Sequence, residues 1–137
     1  MANASWALQQ AVFARLTSDE ALTELLGGAR VYDDVLVRAA FPYVTFAQGS
    51  ERDWSTASDD GAEHALVLHV YSRASGRNEL LAIMEALRAL LHDAALALTG
   101  YRLINLRHEA SDVRRENDGE TYHGIVRLRA VTEVNSE

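Results

Sequence analysis

Residues 101–133 read YRLINLRHEASDVRRENDGETYHGIVRLRAVTE. Two extended, alternating runs, 101–115 and 120–133, flank Asn117-Asp118-Gly119, so the stretch predicts a β-hairpin. A three-residue loop with Gly119 in the left-handed conformation sets Leu106 opposite Ala130, His108 opposite Leu128 and Ala110 opposite Val126. That register collects Ile104, Leu106, Val126, Leu128 and Ala130 on one side. On the other it places Glu109 against Arg127, an attractive cross-strand pair. A two-residue loop would put Glu109 against Leu128, a poorer match.

Upstream of the hairpin, residues 78–93 carry Leu80, Ile83, Met84, Leu87, Leu90 and Leu91 in one stripe, with Glu85, Arg88 and Asp93 elsewhere. This is an amphipathic helix, with Gly100 as its outer limit. His92 in its last turn faces the negative end of the helix dipole, which favours a capping or solvated role. Before it lies the strongest strand signal, 63–73. Leu66, Leu68 and Val70 share one face and Ala65, Val67 and Tyr71 the other, which predicts a central strand covered on both sides.

Residues 49–61 are polar and turn-forming apart from Trp54, and read as one long, mobile loop. Earlier still, 41–46 alternates as a strand whose Pro42 belongs at its first residue or on an edge. Residues 30–32 form a short extended piece. Residues 5–16 predict a helix capped by Ser5, with Trp6, Leu8, Val12, Phe13 and Leu16 on its apolar face. Asp19 caps a second helix bearing Leu22, Leu25 and Leu26, stopped by Gly27-Gly28. The sum is an α+β class: a single domain over 1–137, with a mainly antiparallel or mixed sheet, a long helix packed on it and N-terminal helices.

A chain of 137 residues with 48% hydrophobic and 24% charged content is long enough for one core and is not a disordered composition. No apolar run reaches the roughly 18 residues of a membrane span, and no basic-then-apolar leader precedes Trp6. Without cysteine there is no disulfide framework, thiolate zinc site or cysteine nucleophile. The 13 basic residues are all arginine, which removes P-loop and Schiff-base lysine chemistry. A formal net charge of −7 disfavours binding to nucleic acid through phosphates.

The five histidines, His64, His69, His92, His108 and His123, show no metal-binding spacing. His64 and His69 point to opposite faces of their strand. Asp33-Asp34 diverge, and Asp59-Asp60-Gly61 reads as a turn. Trp6, Phe13, Tyr32, Tyr43, Phe46 and Tyr71 stand at core-compatible positions. Trp54 either tucks onto the domain or is kept for a partner. No catalytic, cofactor-binding or metal motif emerges.

The ordered set Leu25 to Gly28, Arg30-Val31-Tyr32-Asp33, Pro42-Tyr43-Val44, His69-Val70-Tyr71-Ser72-Arg73, the helix to Leu91-His92, and residues 113–130 resembles the tail-completion or tail-terminator proteins of long-tailed phages and gene transfer agents, once a family of unknown function. The resemblance spans about residues 5–133. It implies a structural virion protein, made in a bacterial host cytoplasm, that forms a homohexameric ring at the head-proximal end of the tail tube. Such a ring stops tube polymerisation and joins the tail to a head connector or stopper, while DNA transits the lumen without specific binding. No enzyme, cofactor or membrane is implied.

A ring needs two different patches that meet between neighbours. The candidates are Arg107, Glu109, Arg127 and Arg129 on the hairpin, against Asp33, Asp34 or Glu63 of the next copy. Trp54, with Arg52 and Asp53, is the candidate contact with tail tube or connector. An acid-lined lumen would repel phosphate over about 8 Å at physiological salt. Two other readings are a small adaptor, monomeric or dimeric, that binds a protein through the Trp54 loop, and an enzyme using His123 or His69 with a nearby carboxylate.

Overall fold

The computed structural model describes residues 3–34, 38–47 and 49–135. The elements in chain order are α1 (Ala4–Thr17), α2 (Glu20–Leu26), β1 (Val31–Tyr32), β2 (Tyr43–Phe46), β3 (Ser50–Asp53), β4 (Gly61–Ser72), α3 (Asn78–Leu91), β5 (Ala97–Leu98), β6 (Tyr101–Arg115) and β7 (Tyr122–Val134). The expected α+β architecture is present, with a sheet ordered β1-β2-β4-β7-β6-β5 and β3 also paired with β4. Among the described residues only β1 and β2 run parallel, and the other pairings are antiparallel.

Local chemistry sets the helix ends. Asp19 accepts from Leu22 N–H at 2.9 Å, and Gly27 ends α2 in the left-handed conformation at φ 79°. The cap of α1 is Asn3, not Ser5: its side-chain oxygen accepts from Trp6 N–H at 2.8 Å, which places Ser5 inside the first turn. His92 caps α3, and its Nδ1 accepts the His108 N–H at 3.0 Å while Asp93 N–H donates to Leu106 O at 2.7 Å. The end of α3 is thereby stapled to β6.

The three helices cover one face of the sheet. Leu8, Val12, Leu22, Leu26, Leu80, Ile83, Leu87 and Leu91 bury against Leu66, Leu68, Val70, Leu106, Val126, Leu128 and Ala130. Among the helical residues expected in the core, Trp6, Phe13 and Leu25 stay largely exposed, because each lies off the stripe that meets the sheet. The opposite face of β4 is not covered as expected. Ala65 is exposed, and Val67, His69 and Tyr71 are only half-buried, since among the described residues no helix packs over them.

Residues 49–61 are not one loop. Ser50–Asp53 forms β3, paired along Ala62–Ala65 of β4, so the irregular part shrinks to 54–60. All four β3 residues are exposed; a strand held by its backbone ladder and not by burial leaves no apolar alternation to read. β2 uses the other half of the same β4 edge, pairing with Leu68–Tyr71. Between them the chain crosses so near β4 that a Cβ on Gly49 would lie 2.1 Å from Ala65 O.

The hairpin register is right in its middle and shifted at both ends. Leu106 faces Ala130 and His108 faces Leu128, as expected. Bulges fall between Leu103 and Asn105 and between His108 and Ala110. Ala110 consequently faces Arg127, not Val126; Glu109 has no cross-strand partner, and Ile104 is turned out to 46% exposure. The cause lies at the turn. Glu116 N–H bonds Thr121 O at 2.8 Å, which closes a loop one residue longer than the three-residue one, although Gly119 is left-handed at φ 76° as expected. The bulge at Glu109 then returns β6 to the phase its apolar residues require. Asp118 organises that loop: its carboxylate accepts from the Thr121 hydroxyl, Thr121 N–H and Glu120 N–H, which lowers its pKa to about 2.

Candidate assembly surface on the uncovered sheet face

The uncovered face has two ends of different chemistry. At the β3 end, Glu63 of β4 lies between Arg52, directly across on β3, and Arg129 on β7, whose Cα partner is Ala65. Each arginine donates its Nε–H to a different carboxylate oxygen of Glu63. The Arg52 hydrogen bond, followed by the influence of Arg129, holds the Glu63 carboxyl below the usual carboxylate range. Trp54 lies under both guanidinium groups, with ring-centroid distances of 5.7 Å to Arg52 and 5.2 Å to Arg129, and remains 46% exposed. The sequence assigned Glu63 and Arg129 to one contact and Trp54 and Arg52 to another. The fold joins all four in one cluster.

The remaining candidates are dispersed. Arg127 donates to Asp112 Oδ2 at 2.5 Å, and Arg107 lies 3.6 Å from Asp93 Oδ1. Glu109 is exposed at its bulge and borders the same hollow as Arg52, Glu63 and Arg129. Asp53 serves its own loop, accepting from the Ser55 hydroxyl at 2.6 Å. Asp33 and Asp34 follow β1 at the far edge of the sheet, where Asp33 accepts from Gln9 Nε2 at 2.7 Å.

At the other end, a ladder of rings crosses the strands. Tyr43 stacks on Tyr71 at 5.1 Å, and Tyr71 stacks on His123 at 4.4 Å. His123 Nε2 is 2.6 Å from His69 Nδ1, a separation that holds one shared proton. Glu116 Oε1 lies 2.9 Å from His123 Nδ1 at ion-pair distance. Burial is the largest influence on both imidazoles and pushes their pKa values down, against the opposing pull of Glu116. His123 is buried at 7% exposure. Sequence parity placed His69 and Tyr71 on one face, but only the β4–β7 register, Tyr71 opposite His123, brings the pair together. Among the described residues no group of three or more His, Asp or Glu side chains is placed to hold a metal ion.

On the core side, His64 is neutral packing chemistry: Nε2 lies 2.9 Å from the Thr132 hydroxyl, and burial lowers its pKa.

The family model of tail completion protein gp17 matches residues 10–133. The chain belongs to this family. Its membership agrees with the resemblance carried by the ordered motifs, and a tail completion protein is a structural component, not an enzyme. A chain in the solved structure titled "Virion of native gene transfer agent (GTA) particle" is 29% identical; the match covers 97% of this chain and 99% of that one, with a TM-score of 0.88. A second solved structure shares the fold at 12% identity and a TM-score of 0.60, covering 99% of both chains. No curated protein matches the sequence. The Glu116–His123–His69 array is a packed seam across β4, β7 and the turn before β7, with the Tyr71 hydroxyl 3.3 Å from His69 Nδ1.

Proposed function

We propose that this tail completion protein is a tail terminator. Six copies form a ring at the head-proximal end of the tail tube, which stops tube polymerisation and joins the tail to the head connector while DNA passes through the lumen. The observation that carries the reading is the likeness, along nearly the full length of both chains, to a protein of a native gene transfer agent virion. The surface supports it. On the second face of the sheet Ala65 is exposed, and Trp54, Arg52, Arg129 and Glu63 form a partly exposed cluster beside it. Aromatic and arginine side chains of that kind are typical anchors of protein contacts. In this reading the cluster faces the tail tube or the connector.

Electron micrographs of particles lacking the chain test the proposal. Expected are tails of irregular length and heads without tails. Uniform tails already joined to capsids would overturn it.

A further inference from the structure

Helix α1 is apolar on two sides. Ala7, Leu8, Val12 and Leu16 enter the core, whereas Trp6 and Phe13, seven positions apart, stay 47% and 42% exposed. Together with Gln9, Gln10, Phe46 and Asp33 they line a groove of about 360 Å³. A helix with a second aromatic face on a small domain is built for a second contact. The rim of the groove carries the Asp33 carboxylate, fixed by Gln9, and Asp34 follows it in sequence.

The complementary surface is on the same chain. Ile104, turned outward by its bulge, is 46% exposed and flanked in sequence by Arg102 and Arg107. Strands β6 and β7 contain six arginines and three carboxylates, whereas the rest of the chain has seven arginines and seventeen carboxylates. One subunit therefore separates charge, with a basic hairpin and acidic helices and loops. A two-fold contact through the hairpin would set arginine against arginine. A head-to-tail contact sets the hairpin of one copy on the acidic rim of the next, and repetition of that contact can close a ring.

We propose that a second copy of this chain fills the α1 groove, with its Ile104 between Trp6 and Phe13. Arg107 exchanges its exposed contact with Asp93 of its own chain for the neighbour's Asp33. The inference rests on the ring reading and names the two surfaces that close the ring.

The absence of cysteine from the sequence makes the contact directly testable. Phe13→Cys and Ile104→Cys in the same chain, oxidised in assembled particles, should give a ladder of covalent oligomers, and either substitution alone should give none. Particles that incorporate the double variant normally but yield only monomer overturn the contact and leave the ring reading standing. Normal particles that lack the chain altogether overturn the ring reading itself. Should the cysteine pair block assembly, a charge exchange decides. Asp33→Arg and Arg107→Asp, each with unchanged thermal melting, should separately lose joined particles, and the two combined in one chain should recover them. Failure to recover overturns the contact.

Discussion

Strand β4 presents two faces that obey different rules. On one, His64, Leu66, Leu68, Val70 and Ser72 are buried, and the apolar members meet three helices. On the other, Glu63 is held by two arginines and Tyr71 by the Tyr43 and His69 rings, while Ala65 and Val67 have no helix above them among the described residues. Both faces are rich in apolar residues, and in sequence they look alike. The first is spent on folding; the second is the one we propose for assembly. The lesson is that an apolar strand face signals burial somewhere, not burial within the same chain.

The sharpest contrast comes from truncating neighbours on β4. Leu68→Ala removes a side chain with no exposure at the centre of the core, and about 2–5 kcal/mol of stability should go with it. Val67→Ala, one residue away on the uncovered face, should cost under about 1 kcal/mol, because a surface change away from special features usually costs little. Chemical denaturation of the two variants checks this. Equal losses would mean that the second face is covered within the monomer.

A smaller effect is expected where β2 passes into β3. The Gly49→Ala methyl would meet the Ala65 carbonyl at 2.1 Å, backbone that cannot turn aside. Overpacking of this kind costs about 1–3 kcal/mol. Hydrogen exchange should localise the loss to the β3–β4 ladder and spare β4–β7. Uniform loss of protection would show that β3 is integral to the core and not an appendage of the second sheet face.

The least effect belongs to the histidine seam. His69 and His123 have pKa values pushed below the usual histidine value of 6.5, so the unfolded chain binds more protons than the folded one as pH falls through that value. Their contribution is complete above the ordinary histidine value and is lost as pH falls below it. The melting temperature of the wild type should therefore decline over that fall more steeply than that of the His69→Gln/His123→Gln variant. His64, also pushed down by burial, keeps a share of the slope in both proteins. Identical slopes would show that the imidazole pair is not proton-sensitive.

Much of the architecture was legible because short-range rules write it into the chain. Asp19 and Gly27 delimit α2 by cap chemistry, Gly119 takes the left-handed turn position, and the Leu80-to-Leu91 stripe of α3 lands on the sheet. The misses share one cause. Strand β3 has no buried residue, the bulges at Ile104 and Glu109 answer a loop one residue longer than expected, and Trp6 and Phe13 are apolar without being core. Each depends on a partner segment that periodicity does not name. The proposed assembly surface was legible as a set of residues, but not as a set of neighbours. Glu63, Arg129, Arg52 and Trp54 were each singled out, yet only strand pairing made them one cluster.

The sequence by itself determined the class of the fold, the ends of α2, the core stripe of α3 and the middle register of the hairpin. Those follow from contacts within a few residues and from the repeat of apolar side chains. The tertiary structure alone decided which face of β4 is covered, that β3 exists, and that His69 meets His123 and Trp54 meets Arg129. Those depend on which strands lie side by side, an outcome of packing the whole chain that a local pattern does not contain.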